Sequence, residues 1–458
     1  MHRPIHSTQV RLAAALCALI LATPLFAQAQ PRIRPNIVFI MADDMGYADA
    51  GCYGQKHIKT PHIDRLAREG RRFTDCYAGS TVCAPSRSVL MTGLHVGHTR
   101  VRGNFGVGGV QGLGGGQGRI PLRAEDFTVA ELLRKAGYRT GIVGKWGLGE
   151  PNTTGTPNRK GFDFWFGYLN QRRAHSYYPE FLWLNENRFE LPGNREGEQT
   201  QYTHDLMTGF ATHFIRANQN TPFFLYLPFT VPHSKFEVPQ LGRYADQEWS
   251  EQAKTYAAMI TRMDRDIGII LDLLETLSID ERTIVFFCSD NGAANRYEGL
   301  FNSSGPLQGR KRDLYEGGIR TPMIVRWPNQ IPAGTVDSTP WTFADFLPTA
   351  AALAQAPIPT NLDGKNILPT LLGHKQSLEN RFLYWEFFER GFQQAARWNH
   401  WKAIIPKPSG PLKLYNLEND LGESRDIAAD HPAIVKRFRD YFATARTDSA
   451  EFPVQGSK

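Results

Sequence analysis

The sequence is short of cysteine, with five in 458 residues. So sparse a set cannot staple a disulfide-built miniprotein. After residue 30 it also lacks any apolar run long enough to cross a bilayer. It has no long basic tract and no nucleic-acid motif. Its 52 Lys+Arg against 45 Asp+Glu leave a formal charge of +7, spread along the chain. Nucleic acid is therefore not an expected partner, and a polyanionic substrate is the sharper reading of this mild excess. Disorder is excluded too, because 12% of the residues are aromatic and 21% charged. The length suggests roughly two to four domains, or one large α/β domain with an appendage.

What is present begins with a leader. Arg3 and Arg11 precede an apolar stretch from Leu12 to Leu25, and Ala27-Gln28-Ala29 follows as an A-x-A cleavage pattern. Residues 1–29 read as a secretory signal peptide of bacterial type, so the mature protein is expected in the periplasm or outside the cell, without a membrane span. Its removal lowers the formal charge from +7 to +5 and takes Cys17 with it. Cys52, Cys76, Cys83 and Cys288 remain. Spacing alone does not decide whether Cys52 and Cys76 pair.

Four continuous apolar runs, 36–41, 140–143, 223–227 and 283–288, read as strands covered on both faces, with 323–327 a weaker fifth. Helical patterns lie between them at 64–69, 128–136 and 251–277. This alternation predicts an α/β fold with a mainly parallel sheet. The glycine-dominated stretch 103–118 lacks a phosphate-binding spacing and reads as a flexible surface loop. After residue 372, runs at 382–387, 395–405 and 412–417 and a helix near 431–445 predict a small α+β domain with an antiparallel sheet. The expected division is 30–372 and 373–458.

Two strands end in Asp43-Asp44 and Ser289-Asp290-Asn291-Gly292. Ligands of open α/β sheets gather at the carboxyl ends of strands. Three carboxylates and an amide oxygen are hard donors suited to Ca²⁺ or, as the alternative, Mg²⁺. Between them lies Cys83-Ala84-Pro85-Ser86-Arg87, followed by Thr92-Gly93. Here the chain resembles the type I, formylglycine-dependent sulfatases of the alkaline phosphatase superfamily, whose signature is C-x-P-S-R. The resemblance extends through Pro35-Asn36-Ile37, Asp43-Asp44-Met45-Gly46, Gly144-Lys145-Trp146, Pro232-His233 and Glu316-Gly317-Gly318-Ile319-Arg320.

The resemblance implies an alkaline phosphatase-like sheet sandwiched by helices and an arylsulfatase-like sulfuric-ester hydrolase. It implies that a formylglycine-generating maturation enzyme oxidises Cys83, and that the aldehyde hydrate attacks sulfur. Asp43, Asp44, Asp290 and Asn291, with residue 83, would bind Ca²⁺. Arg87 would hold the hydrate, Lys145 and Lys311 the sulfate oxygens, and His233 would protonate the leaving alcohol. Lys311 lies within a basic run, Arg310-Lys311-Arg312, that also reads as solvated surface.

One position departs from the pattern. Many members read G-K-W-H-L-G where this chain has Gly144-Lys145-Trp146-Gly147-Leu148-Gly149. The missing histidine is usually the base of the second step, and His175 is the expected substitute. His95 is expected to order a helix end, and His98 and Arg100 are weaker pocket candidates. Arg172, Arg173, His175, Tyr177, Tyr178 and Trp183 suggest a sugar-facing loop. The expected substrate is a sulfated carbohydrate, with small aryl sulfates also accepted. The alternatives are a phosphonate or phosphodiester hydrolase of the same superfamily and a weakly catalytic sulfated-glycan-binding protein.

Overall fold

The computed structural model describes Met1 and residues 34–454, except 114, 115, 296, 298 and 409. Apart from Met1, the expected leader lies outside the described residues. From Arg34 onward the chain is one compact unit.

Sixteen strands are described: β1 (Asn36–Ala42), β2 (Arg71–Phe73), β3 (Cys76–Tyr77), β4 (Arg139–Lys145), β5 (Phe164–Tyr168), β6 (Phe181–Leu184), β7 (Asn187–Glu190), β8 (Phe223–Pro228), β9 (Thr283–Ser289), β10 (Met323–Arg326), β11 (Thr335–Asp337), β12 (Trp341–Thr342), β13 (Phe382–Phe387), β14 (Gln393–Trp398), β15 (Trp401–Ile405) and β16 (Lys413–Asn416). Ten of them form one sheet in the order β11-β2-β10-β9-β1-β8-β4-β5-β6-β7. Its centre, β9-β1-β8-β4-β5, is parallel, and antiparallel strands flank it on both sides. The central strands are the continuous apolar runs, and both faces are covered. Ile37, Phe39 and Met41 enter one core; Val38, Ile40 and Ala42 enter the other.

The helices are α1 (Pro61–Glu69), α2 (Cys83–Thr92), α3 (Val129–Lys135), α4 (Thr203–Ala217), α5 (Glu251–Thr276), α6 (Glu316–Ile319), α7 (Phe346–Leu353), α8 (Leu368–Leu371) and α9 (Pro432–Phe442). Local chemistry sets their ends. Thr128 and Glu131 form a reciprocal capping box at the start of α3. Ser250 Oγ accepts from Ala253 N at 3.2 Å at the start of α5. Gly93, at φ 70°, stops α2 with its N–H on Val89 O. Residues of α2, α3 and α7 pack on one sheet face, and those of α4 and α5 on the other.

β13 to β16 form the expected antiparallel C-terminal sheet. The run 395–405 is not one strand. It folds back at Asn399, φ 52°, and Trp398 faces Trp401 across the turn. This sheet packs Leu383, Trp385 and Phe387 against Tyr77, Val82 and Ile319. The described part of the glycine-rich stretch is a loop tied by a few backbone hydrogen bonds. Val110 and Arg119 bridge through both backbone groups, and Gly106 N donates to Gly118 O. Cys52, Cys76, Cys83 and Cys288 are all free thiols, so the Cys52–Cys76 bridge is not formed. No described helix is long and apolar enough to cross a membrane.

Candidate active site

Four adjacent parallel strands deliver the site at their carboxyl ends. β1 hands on Asp43-Asp44, and β9, with Ser289 level with Ala42, hands on Asp290-Asn291. β4 ends in Lys145, and the chain leaving β8 reaches His233. Asp44 turns sharply out of line at φ 68°, in the left-handed region that Asp tolerates better than most residues. Its N–H donates to Asp290 Oδ1 at 3.1 Å.

α2 supplies the fifth piece. Cys83 opens it, and the helix is buried from end to end. Ser86 Oγ donates to Asp290 O at 2.5 Å, which fastens the helix start to the end of β9. The positive end of the helix therefore faces the carboxylates. Cys83 Sγ lies 3.5 Å from Asp43 Oδ1 and 3.4 Å from Lys311 Nζ.

Each carboxylate has its own cation. Lys145 Nζ donates to Asp43 Oδ2 at 2.7 Å, and Lys311 Nζ donates to Asp44 at 2.6 and 2.7 Å. Arg87 Nη2 donates to Asp290 Oδ2 at 2.8 Å, and its Nη1 donates to Lys145 O at 2.7 Å. Lys311 is buried although Arg310 beside it is exposed, so the basic run is split between solvent and site. Burial alone would raise the Asp43 carboxyl, but Lys145, His233, Arg87 and Lys311 outweigh it and hold it well below the usual range. Asp290 goes the other way, to about 6, through burial and the neighbouring Asp43. Burial pushes the Cys83 thiol up to about 12, which keeps it protonated and a poor nucleophile at neutral pH.

His233 Nδ1 is turned onto its neighbour's carbonyl, Ser234 O. Its Nε2 therefore faces the pocket, 3.3 Å from Asp44 Oδ2 and 3.4 Å from Lys311 Nζ. Burial lowers its pKa, against the pull of Asp44. His175 stacks on His233, with ring centroids 4.1 Å apart. Burial, His233 and Lys145 lower its pKa to about 3, so it stands as a neutral imidazole.

The carboxylates and the Asn291 amide oxygen of this site could hold a divalent cation. Asp43, Asp44, Cys83 and His233 each bring a ligand atom within 4.8 Å of the others. Asn291 Nδ2 donates to Asp44 Oδ1 at 2.8 Å, while its Oδ1 is a buried acceptor without a hydrogen-bond partner among the described residues. An unmet amide oxygen beside three carboxylates is what oxygen-preferring Ca²⁺ or Mg²⁺ would use.

The structure thus brings together Asp43, Asp44, Cys83, Arg87, Lys145, His175, His233, Asp290, Asn291 and Lys311. Other candidates face elsewhere. His95 accepts from Gly97 N at the end of α2, His98 binds Asp363, and Arg100 binds Asp126 and Glu451. Tyr177 cannot face a sugar, because it is fully buried and its hydroxyl donates to Thr230 O and His233 O. It supports the histidine instead. Arg173 lies over the Phe181 ring. Gln171, which no motif marked, reaches the space beside Gly147.

A family model described as Sulfatase matches residues 35–356, and one described as N-sulphoglucosamine sulphohydrolase, C-terminal, matches 309–441. Steryl-sulfatase of Mus musculus is 30% identical, over 89% of this chain and 77% of that protein. N-acetylgalactosamine-6-sulfatase of Canis lupus familiaris is 35% identical, over 76% of this chain and 68% of that protein. Among solved structures, Ps i-CgsB in complex with k-i-k-neocarrahexaose is similar with a TM-score of 0.80 at 30% identity, covering 92% of this chain and 95% of that one. With its fold, its motifs and these relatives in agreement, the chain belongs to the sulfatase family of the alkaline phosphatase superfamily and is a sulfuric-ester hydrolase.

Proposed function

We propose that the protein is an exported sulfatase acting on sulfated carbohydrates. In this reading a maturation enzyme converts Cys83 to formylglycine, and Asp43, Asp44, Asp290 and Asn291 hold a calcium ion beside it. Residues 30–372 form the catalytic body and 373–458 a covering subdomain. The observation that carries the reading is the seat of Cys83. It sits at the start of a buried helix, among carboxylates and 3.4 Å from a lysine, as a thiol unfit to attack for itself. The carbohydrate assignment draws support from the N-acetylgalactosamine-6-sulfatase relatives and from the neocarrahexaose complex of the solved neighbour.

When bound, the cation supplies positive charge that acidifies a hydroxyl of the residue-83 hydrate and draws in the sulfate group. The protein's own residues do the rest. Lys145 and Lys311 bind sulfate oxygens as point charges, and Arg87 holds Asp290 and the end of β4 in place. His233 acts as the imidazolium, with Nδ1–H donating to Ser234 O and the Nε2 proton passing to the departing alcohol oxygen. His175 holds that ring by stacking, and in this reading it takes the second hydroxyl proton although burial makes it a weak base.

Mass spectrometry of the peptide containing residue 83, from exported and active protein, tests the reading. An aldehyde is expected there, with the chain starting at Gln30, and metal analysis is expected to find calcium. An unconverted thiol in fully active protein overturns the formylglycine assignment. A second reading, esters of an apolar alcohol, is favoured by a cleft of about 800 Å³ walled by Phe105, Phe388, Phe392 and Phe452. Phe105 in its wall follows Asn104, whose Oδ1 accepts from Ala84 N in α2 at 3.3 Å. Competition between a sulfated galactan oligosaccharide and a steroid sulfate decides between the two.

A further inference from the structure

Gly147 has φ +77°, and a Cβ built on it would stand 2.2 Å from Gln171 Nε2, 2.7 Å from its Cδ and 3.0 Å from its Cγ. The volume into which residue 147 would project is therefore filled by the Gln171 side chain. That side chain is 5% exposed, and its Nε2 is buried with no acceptor among the described residues. A buried amide donor left unmet costs free energy, which a closer-packed apolar side chain would not. Such a group calls for a partner, an ordered water or a ligand oxygen.

The backbone that carries it is fixed. Asn170 Oδ1 accepts from Arg172 N at 2.7 Å and from Arg173 N at 3.2 Å, and Asn170 Nδ2 is anchored on Glu150. On the other wall, Trp146 N and Gly147 N donate to Tyr168 O and Leu169 O at 2.9 and 3.1 Å. Both walls lead into the site. Lys145, two residues before Gly147, ends on Asp43, and His175, four residues after Gln171, stacks on His233.

We propose that Gln171 is a substrate-binding residue whose Nε2 donates a hydrogen bond to an oxygen of the sulfate group held between Lys145 and His233. A primary amide neither gains nor loses a proton near neutrality, so Gln171 binds and orients while the histidines handle protons. The chain thus fills the place of a side chain at 147 from a different loop, with a neutral donor. This rests on the sulfatase reading above.

The test uses the full chain with residue 83 matured. Gln171→Leu keeps the bulk and removes the donors. Gln171→Glu keeps the shape and sets an anion against sulfate. Gln171→Ala keeps the test open if leucine packs badly. Each is measured for melting temperature, for kcat/KM on an aryl sulfate, and for the Kd of inorganic sulfate by calorimetry. Loss of one hydrogen bond to an anion predicts a roughly 10–100-fold fall in kcat/KM and a weakening of sulfate binding by about 10-fold or more for Gln171→Leu. Its melting temperature should stay level or rise, and Gln171→Glu should lose more activity than either neutral variant. A filler role would leave sulfate affinity untouched. If kcat/KM and sulfate Kd of Gln171→Leu and Gln171→Ala stay within about twofold of the parent, a change too small for a lost hydrogen bond, the proposal is overturned. Parent protein that releases sulfate from no ester would count against the sulfatase reading alone, because the sulfate Kd comparison still decides Gln171.

Discussion

The molecule buries two clusters of opposed charge, and they are alike in content. In the site, Asp43, Asp44 and Asp290 face Lys145, Lys311 and Arg87. Under the C-terminal sheet, Glu316, Glu423 and Asp75 face Lys402, Arg320 and Arg397. The second cluster is built around Glu316, while Glu423 Oε1 meets only the Lys402 ammonium, at 2.8 Å. Glu316 accepts from Lys402 at 2.9 Å, from Arg320 at 2.6 Å and from Tyr77 at 2.7 Å, and both arginines lie over the Tyr77 ring. The first cluster also holds a thiol and an imidazole, and Asn291 Oδ1 beside it is a buried acceptor without a partner among the described residues. Burial of charge does not by itself mark a site; here the thiol and the imidazole set among the charges do. The Glu316–Arg320 motif, for all its resemblance to a signature, serves as a joint.

The comparison can be broken from either side. Cys83→Ala should abolish sulfate release, by at least about 10⁴-fold, with the melting curve nearly unchanged. His233→Ala should slow esters of poor leaving groups by about 10²–10⁴-fold and activated aryl sulfates far less, as their relative kcat values will show. In the joint the effect moves from rate to stability. Lys402→Met leaves Glu316 and Glu423 buried without their shared cation, so urea denaturation should show a loss of about 3–5 kcal/mol. Surviving folded protein should keep its kcat.

The smallest effect is a pH slope. Burial and Glu316, against Lys402, raise the Glu423 carboxyl to about 7, above its unfolded value near 4.5. The native state then binds more protons than the unfolded state across that window. Stability from this group is full below about pH 4.5 and is lost as pH rises through about 7. Glu423→Gln should flatten the decline by about 1–3 kcal/mol, read from denaturation midpoints at the two ends of the window. A decline that survives the substitution would place its source elsewhere.

Much of the site was legible because strand ends carry it. The runs ending at Ala42 and Ser289 are apolar throughout, so their parallel pairing and the meeting of Asp43-Asp44 with Asp290-Asn291 followed from sequence. The hairpin of β6 and β7 and the helix α4 were not read. The strands are four residues each, and α4 mixes Thr, His and Gly into its stripe. The apolar run 395–405 hid a turn, since only Asn399 marks it. Burial at Lys311 alternates with exposure one residue away, which charge composition cannot show. Gln171 has no motif; its one signal was a glycine where a side chain was expected.

The seat of Cys83 also has a meaning in time. Its residue is 3% exposed, and Trp385 Nε1 donates to Ala78 O on the stretch leading into α2. That cover comes from strands more than three hundred positions later, among the last to be synthesised. In the formylglycine reading proposed above, a bulky modifying enzyme meets Cys83 more openly before Trp385 has closed on Ala78 than after.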